Sequence, residues 1–180
     1  MEKMGIQIGA RPDCGFEDPL GMLKDCHRRV ERFLQILWLV ARQAQGRACT
    51  DEERFAVESA FSYFRTGGQR HTADEEESLF PRLRAVSAAD AFKELDALES
   101  DHDAANRLHD DLESLYAAWF EAGHLNSADG QKILGITERL KNLYAKHIDI
   151  EERLIFPRAA EILDRQSIAA IGTEFRNRRA

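Results

Sequence analysis

Two phrases in this chain carry the same chemistry: QRHTADEEESLFPRL, beginning at Gln69, and AKHIDIEERLIFPRA, beginning at Ala145. Each sets a glutamate four residues after a histidine, His71 with Glu75 and His147 with Glu151. From each histidine onward the next twelve residues share His, Glu, Glu, Phe, Pro and Arg at the same offsets. On a helix, residues i and i+4 lie on one face, about 6 Å apart along the axis. An imidazole could then bind one cation while the glutamate beside it reaches a second. Two further histidines complete the pattern. His27 precedes His71 by 44 residues, and His102 precedes His147 by 45. The halves read as related helical hairpins, each written His, then HxxxE.

Four long helices must position these groups. The first runs from about Asp18 to Gln45, with Asp18 as N-cap and Pro19 at the first helical position. Its inward stripe is Leu20, Leu23, His27, Val30, Leu34, Leu37 and Ala41, at steps of three and four. The second opens on a Thr50/Glu53 capping box and carries Ala60, Phe64, Gly67 or Gly68, His71, Glu75 and Leu79. The third opens near Ser87 with Asp90 and carries Ala91, Leu95, Leu98, His102, Ala105, His109, Leu112, Tyr116 and Trp119. The fourth starts near Asn126 or Ser127 and carries Ile133, Ile136, Leu140, Tyr144, His147, Glu151 and Leu154. Short connections between long amphipathic helices predict an all-α, antiparallel up-down four-helix bundle over residues 18–164. Residues 1–17 read as an N-terminal extension. Residues 165–180 read as a tail with a short helix, about Ser167 to Asn177, packed on one end or contacting a partner. Pro81 and Pro157 should each bend or end their helix. Gly67-Gly68 costs about 1 kcal/mol per glycine inside a helix, so the helix breaks there or something approaches closely.

In every stripe a histidine stands where leucine is expected, and in two a glutamate follows one turn later. Burying carboxylates without partners costs several kcal/mol each. A pair of cations resolves this: six ligands, His27, His71, Glu75, His102, His147 and Glu151, from four helices. Imidazole and carboxylate without thiolate suit iron, manganese or zinc. Two bridging carboxylates favour iron or manganese over structural zinc, which prefers one closed tetrahedral site.

Composition sets the outer bounds. The chain has 180 residues, 43% hydrophobic and 32% charged, with a net charge of −7. That charge argues against broad nucleic-acid binding, and the basic tail FRNRRA is too small to reverse it. The longest apolar run, Ile36 to Ala41, is far too short for a bilayer, and the N-terminus lacks a secretory pattern. Three cysteines, Cys14, Cys26 and Cys49, without CxxC spacing read as reduced thiols in a cytoplasmic protein.

With these positions assembled, the chain resembles the hemerythrin-like, or HHE cation-binding, family. That family's pattern is H, HxxxE, H, HxxxE, and all six positions match over roughly Asp18 to Leu163. The resemblance implies a bundle holding two iron ions joined by an oxo or hydroxo bridge. By position, His27 and His71 would bind one iron, His102 and His147 the other, and Glu75 and Glu151 would bridge. Oxygen-carrying hemerythrins use a fifth histidine four residues from the one on the third helix. Here Asn106 and Leu98 occupy those places, which argues against reversible oxygen carriage and opens a coordination position.

Other residues read more plainly. His109 belongs to the core or supports the site, and His124 is an exposed loop residue. Glu31 is a minor candidate for an extra ligand. Tyr63, Tyr116 and Tyr144 read as core, although Tyr116 and Tyr144 share stripes with the ligands. Asp74, Glu76, Glu77, Asp149 and Glu152 read as a solvated face. The favoured function is a di-iron protein that binds or senses iron or a small ligand, O2, NO or H2O2. The alternatives are a di-iron oxidase or peroxide-decomposing enzyme, and an interaction module with a structural metal. A homodimer or a protein partner held by the C-terminal tail is also compatible.

Overall fold

The computed structural model describes residues 14–86 and 92–180. These residues form five helical arms, with no β-structure among them except a single bridge between Gln45 and Leu125. The first arm is α1 (Pro19–Gln43). The second joins α2 (Asp51–Tyr63), α3 (Gln69–Asp74) and α4 (Phe80–Val86) through π-helical turns at Phe64–Gly68 and Glu75–Leu79. The third is α5 (Leu95–Ala122). The fourth is α6 (Ser127–Ile150), a π turn at Glu151–Ile155, and α7 (Phe156–Ile162). The fifth is α8 (Arg165–Asn177). No helix among the described residues is long and apolar enough to cross a membrane.

Local chemistry sets most of the ends. Asp18 accepts from the Gly21 N–H at 3.0 Å, and the Thr50/Glu53 capping box is fully formed. Asn126 caps α6 through the Asp129 N–H, and Asp164 caps α8 through that of Ser167. Gly123, at φ 71°, closes α5 in the left-handed conformation glycine favours. The first helix stops at Gln43, short of the expected Gln45, because the Gly46 N–H turns away to donate to the Leu125 carbonyl. That bond and its neighbour, Leu125 N–H to Arg47 O, tie the loops of the two hairpins together at one end. The expected start of the third helix at Ser87, with Asp90 and Ala91, lies outside the described residues.

The prolines behave differently from the expectation that they bend or end their helices. Both arms run on past them as helix. Pro81 and Pro157 lack an N–H, and their rings would crowd the carbonyl four residues back. In each arm the turn before the proline widens to an i→i+5 bond: Phe80 N–H donates to Glu75 O, and Phe156 N–H to Glu151 O. The wider turn carries the inward direction one residue further. Hence Ile155 is fully buried, whereas Leu154, expected on the stripe, is 40% exposed. The glycine pair also lies in a π turn, and a Cβ on Gly67 would come within 2.6 Å of the Tyr63 ring.

The stripes converge on two apolar cores. One gathers Val30, Leu34, Leu37, Phe61, Phe64, Leu112, Tyr116 and Ile133 towards the tied loops. The other gathers Leu23, Leu79, Phe80, Leu83, Leu95, Leu98, Ile155, Phe156 and Phe175. Along each of the first four arms the inward histidine falls between them, so a polar layer lies between two greasy ones. The fifth arm packs on the second core through Ile171 and Phe175, and Gly172 lets it approach the backbone of Phe16.

Candidate metal centre

The fold brings all six predicted side chains into the polar layer, and every one is buried. Glu75 and Glu151 are completely excluded from solvent. Each carboxylate divides its two oxygens between two imidazoles. Glu75 Oε1 lies 3.4 Å from His71 Nε2, and its Oε2 lies 3.3 Å from His102 Nε2. Glu151 Oε1 lies 3.3 Å from His147 Nε2, and its Oε2 lies 3.0 Å from His27 Nε2. The histidines pair in the same sense: the ring centroids of His27 and His71 are 5.0 Å apart, those of His102 and His147 4.7 Å. Each i,i+4 spacing supplies one of these contacts. The other comes from the neighbouring hairpin, so the two halves interlock.

These approaches are close but are not hydrogen bonds. All four oxygens of Glu75 and Glu151 lack a hydrogen-bond partner, as do His27 Nε2, His102 Nε2 and both nitrogens of His147. A native core does not leave ten such atoms stranded without reason. Lone pairs aimed at common points, rather than along N–H···O lines, are what a cation requires. His27, His71, Glu75 and Glu151 can each offer an atom within 4.8 Å of the others, and Glu75, His102 and His147 do the same. The donor set therefore fits metal.

The protonation energetics agree. Burial pushes the Glu75 carboxyl well above the usual carboxylate range, and the Glu151 charge adds to this. Burial would raise Glu151 too, but His147 and His27 hold it well below that range. Burial lowers His27, yet the Glu151 carboxylate against it and the charge of Glu75 raise it overall. Burial, reinforced by the charge of His27, drives His71 well below an ordinary imidazole. The protein alone cannot ionise both carboxylates side by side. Cations between them would.

Around the six stands a set of residues that sequence reasoning placed wrongly. Glu76 and Glu152 are not a purely solvated face. Glu76 Oε1 lies 2.7 Å from His102 Nδ1, and Glu152 Oε1 lies 2.9 Å from His27 Nδ1. A carboxylate on the outer nitrogen fixes the tautomer and leaves Nε2 free to face inward. The repeated doublets Glu75-Glu76 and Glu151-Glu152 are the signal for them in the sequence. Asp101 lies 3.6 Å from His147 Nδ1. Asp74, also expected in solvent, is fully buried and pairs with Arg178 at 3.0 Å and Arg179 at 2.5 Å. Nothing local in the sequence announced that pair, because its partners lie a hundred residues away. Glu77 and Asp149 are exposed as expected. The Phe of the repeated phrase has a use as well: Phe156 stacks on the His27 ring at 5.6 Å.

The remaining expectations sort simply. Glu31 and His124 are exposed. His109 sits beside the site, its Nε2 3.2 Å from the Tyr144 hydroxyl. Tyr116 stays in the core, donating to the Leu37 carbonyl. No disulfide joins Cys14, Cys26 and Cys49.

The chain matches the hemerythrin HHE cation-binding domain over residues 18–159. It belongs to that family. It is also 30% identical over 164 residues to an uncharacterised protein of Haemophilus influenzae, covering 91% of each chain. In this HHE domain the buried His/Glu cluster and the family's cation binding agree, and the all-α bundle is the family's scaffold.

Proposed function

We propose that this HHE domain holds two iron ions in the polar layer and binds a small exogenous ligand there, acting as a sensor or binder of O2, NO or peroxide. His27 and His71 would hold one ion, His102 and His147 the other, and Glu75 and Glu151 would span the pair. The observation that carries this reading is the division of both buried carboxylates between the two histidine pairs, one oxygen to each. A single tetrahedral zinc would use one such set and leave the other stranded.

The size of the adjoining space favours a binder of very small molecules over an enzyme acting on an organic substrate. The cavity against the four histidines has a volume of about 20 Å³, room for roughly one water-sized molecule. A bound iron pair supplies redox chemistry and an open coordination position for such a ligand. The chain's part is to aim the imidazoles and carboxylates into one buried layer and to exclude larger molecules.

The test is metal analysis of protein purified without added metal, alongside its visible spectrum with and without O2, NO and azide. Two irons per chain and a ligand-sensitive spectrum are expected. A colourless protein with one zinc would overturn the reading, and rapid peroxide turnover would move it to the enzymatic alternative.

A further inference from the structure

The cavity beside the polar layer is not symmetric. Its walls include Phe64, Asn106, His109 and Tyr144 as well as the four histidines. Asn106 accepts from the Gln69 side chain at 3.0 Å, closing the rim. Tyr144 stands one turn before His147 and His109 two turns after His102, both in the second hairpin. The matching positions of the first hairpin hold Gly68 and Leu34, which can make no such contact.

The two polar groups are joined, Tyr144 hydroxyl to His109 Nε2 at 3.2 Å, and His109 Nδ1 is buried without a partner. The imidazole lies against Phe64, with ring centroids 4.0 Å apart. A neutral imidazole has one N–H and a phenol one O–H, yet one bond joins them. When His109 donates to the phenol oxygen, the hydroxyl hydrogen is left free. Tyr144 is among the residues that line the cavity, which has room for one small molecule. A buried donor without an acceptor is unfavourable, so a ligand that accepts it gains affinity.

Resting on the di-iron reading above, we propose that Tyr144, oriented by His109, donates a hydrogen bond to a small anionic ligand taken into this cavity, azide or hydroperoxide in type. His109 is a positioning residue and Tyr144 the contact. The pair selects anions and hydrogen-bond acceptors over apolar diatomics, and it belongs to the second half of the bundle alone.

Azide binding to the metal-loaded protein tests this, with wild type, Tyr144→Phe and His109→Leu compared at equal metal content. Azide affinity should fall by about tenfold in Tyr144→Phe, the size of one hydrogen bond to a charged acceptor. His109→Leu should fall by a smaller factor. The bound-azide vibration should shift in D2O for the wild type and not for Tyr144→Phe. Equal azide affinity in wild type and Tyr144→Phe would overturn this inference and leave the proposed function standing. A visible band in the azide-free wild type that Tyr144→Phe abolishes would mean phenolate ligation, and would overturn it as well. A metal-loaded wild type that ignores azide altogether would overturn both.

Discussion

The two hairpins are copies of one another at the metal layer and strangers a turn away from it. His27, His71, Glu75 and Glu76 of the first correspond to His102, His147, Glu151 and Glu152 of the second, and the contacts correspond too. His102 rests on Glu76 as His27 rests on Glu152. Both arms pass their proline by a π turn beginning at the glutamate. Beyond this the correspondence ends. Asp101 faces His147, where the first hairpin has Cys26 in the matching place. Asp74, buried against Arg178 and Arg179, answers to Ile150. Gly68 and Leu34 answer to Tyr144 and His109. The symmetric part is what the proposed pair of cations would need. The asymmetric part serves whatever has only one copy: the terminal helix α8 and the small cavity.

Removing what is symmetric should have the largest effect. Glu75→Ala or Glu151→Ala should each empty most of the site, read as metal per chain. Metal-free wild type should melt about 10 °C or more below the loaded form, since apo protein retains stranded buried charge. A pair of variants in which only one glutamate matters would show that the halves are not equivalent ligand sets.

Next comes an asymmetric feature. Asp74→Ala leaves two arginines facing a buried gap and should destabilise the fold by about 3–5 kcal/mol in denaturant unfolding. Faster amide exchange should concentrate in α8. If exchange rises evenly over all five arms, α8 is not held chiefly by this pair.

A pH experiment separates the hairpins further. Burial pushes His109 down to about 4. An unfolded histidine binds its proton near pH 6.5, so between there and pH 4 the unfolded state holds more protons and stability falls as pH falls. His109→Leu copies the first hairpin. In metal-free protein it should remove up to about 3 kcal/mol of that acid loss. Parallel stability curves for wild type and variant would mean that His109 does not titrate with unfolding.

The smallest effect belongs to the outer carboxylates. Glu76→Ala and Glu152→Ala should each weaken metal binding by about 10- to 100-fold without abolishing it. Their losses should match, because each supports one histidine in the same way. A full loss from either would promote it from support to ligand.

The sequence determined this protein's periodic features by itself. Helical stripes, caps, the i,i+4 pairs and the doubled phrase are local, and a local pattern with a known helical repeat places six side chains on inward faces. Only the tertiary structure decided which carboxylate oxygen faces which imidazole, that Glu76 and Glu152 turn inward to His102 and His27, and that Asp74 meets Arg178 and Arg179. It also decided that the helices survive Pro81 and Pro157. Those outcomes depend on partners from different arms and on one-residue changes of register at π turns, and neither has a signature within a single helical repeat.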